Sequence, residues 1–298
     1  MTSPSLGVGL SVACKEPLMQ DLPAALDEMA DIGVEFVELP LQDFDIVVGG
    51  RILRNRLATL KGMLANRPFR TTLHGHLGIN LMEEPFRLPL HREGLERNIE
   101  IAAELGCLHL VIHTGLVPKV QAPGMDEAYR RQREELSRAG DIARDHGVVI
   151  CVENLFSDDG RMTALPSRLA AELAAINHSH IRATFDFSHG YLHSTDMGAR
   201  YIDEVMALAP FAKHLHLHDS FGRPDDFWCY TNTERLAFGI GDLHLPLGWG
   251  SVPWDEIAAK ARFPHDLVAN IELNHRYWSE VHETVARARD FAARLVTE

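Results

Sequence analysis

Eight short apolar runs, each followed by a longer stretch of helical period, restrict the fold of this chain more than any other feature. The runs lie at 6–13, 35–39, 70–74, 108–113, 147–153, 181–186, 212–217 and 267–272. LHLVIH and GVVICVE lack the polar alternation of a half-exposed strand, so they read as parallel strands covered on both faces. Amphipathic segments at 89–105, 126–146 and 278–296 lie between or after them. Strand and helix alternating in this way predict an α/β fold with a parallel sheet. Eight repeats in 298 residues favour one closed (β/α)8 TIM barrel over an open sheet. No Pro- or Gly-rich linker divides the chain, so residues 1–298 are expected to form one domain. The segment 217–252 is too long for an ordinary connection, and its Phe, Trp and Tyr content argues for an ordered substrate loop.

Composition narrows the function. A net charge of −13 is poorly suited to gripping long nucleic acid by phosphate neutralisation. The basic stretch 51–70 reads first as a solvated helix face. Cys14, Cys107, Cys151 and Cys229 are widely spaced, which argues for free thiols and a cytoplasmic location. The first residues lack a basic signal-peptide region, and no apolar run is long enough to span a membrane. Self-association is compatible with the sequence.

The 17 histidines are the anomaly, and several of them end strands. In a (β/α)8 barrel, catalytic residues come from the C-terminal ends of the strands. Those ends carry His74, His113, Glu153, Asp186 and Glu272, and His189 follows Asp186 by three residues. His214, His216 and His218 share one face of the seventh strand by alternation, and periodicity does not choose among them. Asp242 and His244 lie in the long loop, two residues apart. Any one of these would usually be a hydrogen-bonded structural residue or a helix cap. Their convergence on one barrel mouth is different, because so many carboxylates would repel one another and resist desolvation without cations. Mixed imidazole and carboxylate ligands suit Zn2+, with Mn2+, Fe2+ or Co2+ as alternatives.

At these positions the chain resembles the xylose isomerase-like barrels, and among them the endonuclease IV type (AP endonuclease family 2). His74 precedes Ile79, Asn80 and Leu81 as in that family's His and INL-like segment. His113, Thr114 and Gly115 stand at its His-Pro-Gly-like turn, and Glu153 with Asn154 at its Glu-Asn pair. Asp186 and His189 match its Asp-x-x-His, and His216 and Asp219 its His-x-x-Asp, which selects His216 on the seventh strand. Asp242, His244, Gly248 and Gly250 match its Asp-x-His-x-x-x-Gly-x-Gly, and Glu272 its last strand-end Glu. The resemblance implies up to three metal ions. One would use His74, His113 and a bridging Glu153. A second would use Glu153, Asp186, His216 and Glu272, and a third His189, Asp242 and His244. The sugar isomerases and epimerases of the same superfamily need only the second set, and VPWDEI at 252–257 also looks like that branch.

The nine-ligand set leads the sequence reading to a multinuclear zinc phosphodiesterase or phosphoesterase with a small, phosphorylated, nucleotide-like or cofactor-like substrate. Glu272 and Glu153 are its catalytic carboxylates. Arg223, Trp228, Tyr230 and Asn154 are its candidate substrate contacts. The alternative is a metal-dependent sugar or sugar-phosphate isomerase or epimerase. Abasic-site DNA cleavage ranks lower, since the DNA-penetrating loop is not recognisable in PLQDFDIVVGG and the family's Tyr is replaced near Leu77. Metal binding without catalysis ranks lowest.

Overall fold

The computed structural model describes residues 5–118, 125–157 and 160–297. Residues 1–4, where a leader segment would begin, lie outside the described residues. Eight parallel strands close into a barrel in chain order. They are β1 (Ser5–Ser11), β2 (Phe36–Pro40), β3 (Arg70–His74), β4 (His109–His113), β5 (Val149–Glu153), β6 (Ile181–Asp186), β7 (Ala212–Leu217) and β8 (Leu267–Ile271). β8 pairs with β1 from Gly7↔Val268 to Leu10↔Ile271 and completes the ring. The fold is a single (β/α)8 TIM barrel, as the alternation of strand and helix predicts.

Helices α1 (Leu22–Ile32), α2 (Arg54–Leu64), α3 (Leu88–Leu105), α4 (Met125–His146), α5 (Pro166–Ile176), α6 (Phe187–Asp196) and α7 (Tyr201–Leu208) follow strands β1 to β6. α8 (Asn232–Phe238) and α9 (Trp254–Lys260) follow β7, and α10 (Val281–Arg294) follows β8. No helix among the described residues is long and apolar enough to cross a membrane. The basic side chains around α2 serve its outer surface: Arg54 pairs with Glu104 at 2.7 Å and Arg67 with Asp27.

The strand pleat divides the core into two chemically different spaces. Val37, Leu39, Leu73, Leu110, Ile112, Ile150, Val152, Phe185, Leu215, Leu217, Ala269 and Ile271 belong to one apolar cluster with residues of the surrounding helices. The alternate residues point the other way, because side chains along a strand switch faces. They include Glu38, Thr72, His74, Glu153, Thr184, Asp186, His214, His216 and Asn270, and all are buried. Helix packing therefore closes an apolar outer shell around a polar, titratable axis.

The long connection after β7 is folded back on the barrel by one carboxylate. Asp219, fully buried, accepts hydrogen bonds from the backbone N–H groups of Ser220 (3.0 Å), Val252 (3.1 Å) and Gly248 (2.8 Å). It also accepts one from the Trp254 indole (3.2 Å). Gly250 passes so close that a Cβ there would lie 2.3 Å from the Asp219 carboxylate, which explains a glycine at that position. Within the loop, Thr231 and Glu234 form a capping box that starts α8. The loop is thus a helix-containing, pinned element. Asp219→Ala would strand four donors, and unfolding in urea should show a loss of about 3 kcal/mol. A loss below ~0.5 kcal/mol, the range of ordinary surface changes, would refute this role for Asp219.

Candidate metal centre

All nine predicted ligand residues meet at the C-terminal mouth of the barrel. Glu153, at the end of β5 and 1% exposed, is the hub. Its Oε2 lies 3.3 Å from His74 Nε2 and 3.7 Å from His113 Nε2. Its Oε1 lies 3.1 Å from His189 Nδ1 and 3.3 Å from His216 Nδ1. His216 Nδ1 is also 3.5 Å from Glu272 Oε2 and 3.8 Å from Asp186 Oδ2. Asp242 Oδ2 lies 2.8 Å from His244 Nε2 and 3.3 Å from His189 Nε2. Among the described residues five overlapping groups could hold a cation: His74, His113 and Glu153; Asp186, His216 and Glu272; Glu153, Asp186 and His189; His189, His218, Asp242 and His244; and Glu38, His214 and His216.

Which ring nitrogen faces the acids is set from behind. A nitrogen next to a carbonyl oxygen must carry its proton, so the other nitrogen is the one free to ligate. His74 Nδ1 donates to the Gly75 carbonyl (3.1 Å), which leaves Nε2 toward Glu153. His189 Nδ1 donates to the Asn154 carbonyl (3.2 Å) and presents Nε2 to Asp242. His244 Nδ1 donates to the Glu272 carbonyl (3.0 Å) and presents Nε2 to Asp242. His244 holds this place with a left-handed backbone, φ 47°, which a side chain other than glycine seldom adopts. Strain at a residue aimed into a cluster is a mark of a functional position.

The electrostatics require positive charge here. Burial would push the His74 imidazole down, yet the hydrogen bond and charge of Glu153 hold it up at about 9. Burial likewise opposes protonation of His244, and Asp242 overcomes it to give about 10. His189 and His216 are also raised against burial, by Asp186 and Asp242 for the first and by Glu272 and Glu153 for the second. His113 differs: burial takes it down to about 4, so it is neutral and ready to ligate without losing a proton. Extra protons on these rings balance the buried carboxylates, which is the charge that divalent ions would supply. The donor set therefore fits the metal that its residue types imply.

A family model described as a xylose isomerase-like TIM barrel matches residues 26–295. The chain belongs to that family. Two curated relatives come from Methanocaldococcus jannaschii. The uncharacterized protein MJ1311 is 25% identical over 196 residues, 63% of this chain and 62% of that protein. The uncharacterized protein MJ1188 is 27% identical over 131 residues, 44% of this chain and 45% of that protein. The matched segments thus span less than two thirds of either relative's length. Among solved structures of similar fold, a D-tagatose 3-epimerase-like protein superposes with a TM-score of 0.71 at 19% identity, covering 96% of this chain and 98% of its own. D-psicose 3-epimerase, solved in the presence of D-fructose, gives 0.66 at 15% identity, with 98% and 100% covered. The TTHB071 protein of Thermus thermophilus, soaked with ZnCl2, gives 0.66 at 20% identity, with 96% and 97% covered. At these identities the likeness is one of fold.

The residues expected to contact substrate are placed differently from one another in this family member. Both side-chain amide atoms of Asn154 are engaged by the Asp186 backbone, at 2.9 Å each, so Asn154 clamps β5 to β6. Arg223 is exposed and donates to the Phe238 carbonyl (2.8 Å), which ties the two ends of the α8 segment together. Trp228 and Tyr230 lie edge to face at 3.9 Å and are 70% and 78% exposed. Two buried residues outside the predicted set join the site. His218 Nε2 donates to Asp186 Oδ2 (2.9 Å), and its ring stacks on His244 at 3.9 Å. Glu38, in the middle of β2, accepts from His216 Nε2 at 3.1 Å. The alternation on β7 already marks His218. Glu38 is a carboxylate in the apolar run FVELP, and that mismatch was the available signal.

The raised imidazoles give a signed test. A histidine with ordinary unfolded pKa near ~6.5 stabilises the fold fully below that pH when its folded value is higher. That stability is lost as pH climbs through about 9 for His74 and about 10 for His244. Chelated protein should therefore lose thermal stability from pH 6.5 toward pH 10, and saturating Zn2+ should flatten the slope by replacing the protons. Melting curves that are flat for the chelated protein, or equally steep with metal, would contradict this account of the site.

Proposed function

We propose that the protein is a metal-dependent isomerase or epimerase of a small, unphosphorylated carbohydrate. The observation that carries this reading is the pair of carboxylates beside His216 Nδ1, Glu153 Oε1 at 3.3 Å and Glu272 Oε2 at 3.5 Å, with Asp186 completing the set. A bound divalent ion would polarise neighbouring oxygens of a hydroxyketone, which acidifies the C–H of the carbon that bears the hydroxyl. Glu272 is the more open of the two glutamates, 16% exposed at its side chain against 1% for Glu153. It is therefore placed to take the proton from that carbon, and Glu153 to serve the other side. Return of the proton to the opposite face inverts the centre, and its return to the neighbouring carbon moves the carbonyl.

The surroundings favour a neutral polyol over a phosphate. A cavity of about 560 Å3 opens beside Asp242 and is lined by Phe156, His193, Asp196, Asp225, Asp226 and Arg235. Arg235 is already paired with Asp225, so the unpaired acids give the wall a negative sign. Hydroxyl groups can donate to such a wall, whereas a phosphate would be repelled. A larger groove of about 800 Å3 lies outside the barrel between α9 and α10 and contains none of the strand-end ligands. The sugar epimerases among the structural neighbours support the same reading. Zn2+ suits the donors, and Mn2+ or Co2+ would be accepted by the same oxygen and nitrogen atoms.

Phosphodiester hydrolysis, the leading expectation from the sequence, is the second reading. One observation favours it: the cluster of His189, Asp242 and His244 goes beyond the four residues that isomerisation uses. The two separate in one assay. Metal-loaded protein is incubated in D2O with a panel of pentuloses and hexuloses, and in parallel with bis(p-nitrophenyl) phosphate. Ketose interconversion with deuterium entering at the reacting carbon is expected. Glu272→Gln should lower kcat by roughly 10²–10⁴ while metal content stays unchanged. Cleavage of the phosphodiester without any sugar interconversion would overturn the isomerase reading.

A further inference from the structure

Behind the metal centre, the barrel axis holds a second set of buried polar groups that catalysis does not use directly. Glu38 is 2% exposed and sits among donors. Its Oε1 accepts from His216 Nε2 (3.1 Å), Asn270 Nδ2 (3.2 Å) and Ser11 Oγ (3.4 Å). Its Oε2 accepts from Thr72 Oγ1 (3.2 Å). His214 Nε2 lies 3.0 Å from Oε2, off the hydrogen-bond axis, and His214 Nδ1 meets His109 Nδ1 at 3.2 Å. His216, Asn270, Ser11 and Thr72 each point a donor at the carboxylate, so Glu38 is held as an anion.

The consequence falls on His216. Nε2 is hydrogen-bonded to Glu38 and so carries a proton, which leaves Nδ1 as the nitrogen that a cation among the facing acids would take. Nδ1 is buried without a hydrogen-bond partner and faces the oxygens of Glu153, Glu272 and Asp186. His74, His189 and His244 have neutral backbone carbonyls behind them. His216 alone among these four has a carboxylate and no carbonyl there, whereas His189 Nδ1 has Glu153 Oε1 at 3.1 Å beside its carbonyl. A carboxylate fixes the ring more firmly than a carbonyl does and makes the free nitrogen more basic.

We propose that Glu38 is the positioning residue of the central site: it locks His216 as the Nε2–H tautomer and so delivers Nδ1 to the metal shared with Glu153, Asp186 and Glu272. This rests on the reading of that quartet as a metal site, and it holds whatever reaction the metal serves. The competing arrangement is an ion lower in the barrel, held by Glu38, His214 and His216, which could come together around one. That ion would take Nε2 of His216 and turn the lone pair away from Glu153.

Two measurements decide. Imidazole 1H–15N correlation spectra of the wild type, with and without Zn2+, report the His216 tautomer directly. An Nε2 proton in both states is expected, joined by an Nδ1 proton in the chelated protein that gives way to the metal-bound shift once Zn2+ is added. Zinc on Nε2, or a His216 ring that lacks an Nε2 proton in the chelated protein, overturns the proposal. The second measurement is competition titration of Zn2+ with a chromophoric chelator. Glu38→Gln should weaken the tightest site 10–100-fold. Thr72→Val removes one neutral donor from the same carboxylate and leaves its charge in place, so it should stay within about threefold of wild type. Equal affinities for wild type and Glu38→Gln overturn the proposal, as do equal losses in both variants. If Glu38→Gln fails to fold, the wild-type tautomer alone decides. A protein that binds Zn2+ as described yet converts no sugar would count against the proposed function and leave the role of Glu38 standing.

Discussion

Buried negative charge is the constraint on which this structure turns. Glu38, Glu153 and Asp186 are each no more than 2% exposed, and the barrel brings Asp242 and Glu272 to the same axis. Carboxylates so placed cannot stay ionised in an apolar core without partners. The protein supplies those partners as imidazoles, from His74 on β3, His216 on β7 and His189 on α6. The apolar residues between strands and helices carry the fold's hydrophobic stabilisation on the outer face of the barrel. This leaves the inner face free to hold groups that would otherwise destabilise the core.

Orientation is layered behind the ligands. Backbone carbonyls of Gly75, Asn154 and Glu272 fix three rings, so parts of the fold needed for strand ends and loop closure also set the ligand tautomers. Asn154 joins β5 to β6 and so holds the spacing of Glu153 and Asp186. Asp219 does the same work for the loop that carries Asp242 and His244, by gathering Gly248, Val252 and Trp254 around one carboxylate. The geometry of the centre therefore depends on side chains that need not touch a metal at all.

Much of this was legible in the sequence. Apolar runs covered on both faces located all eight strands to within about two residues, because a parallel barrel strand leaves little room for polar alternation. Strand-end position then picked out His74, His113, Glu153, Asp186 and Glu272. What periodicity could not resolve was β7, where His214, His216 and His218 share one face, and all three do face the interior. Their roles differ only by depth along the axis, which a one-dimensional pattern does not encode. Glu38 was overlooked because its partners, His214, His216 and Asn270, are far away in sequence. Arg223 and Asn154 have side-chain chemistry suited to a ligand. Their hydrogen bonds to Phe238 and Asp186 are tertiary facts that composition does not reveal.

The central claim is that one divalent ion lies among Glu153, Asp186, His216 and Glu272. Anomalous diffraction at the zinc edge, from crystals of the metal-loaded protein, tests it most directly. The expected result is a peak within bonding distance of His216 Nδ1 and of oxygens from those three carboxylates, roughly 2.0–2.2 Å away. A peak bound to Glu38 and His214 instead, or no peak at the mouth of the barrel under saturating metal, would contradict it.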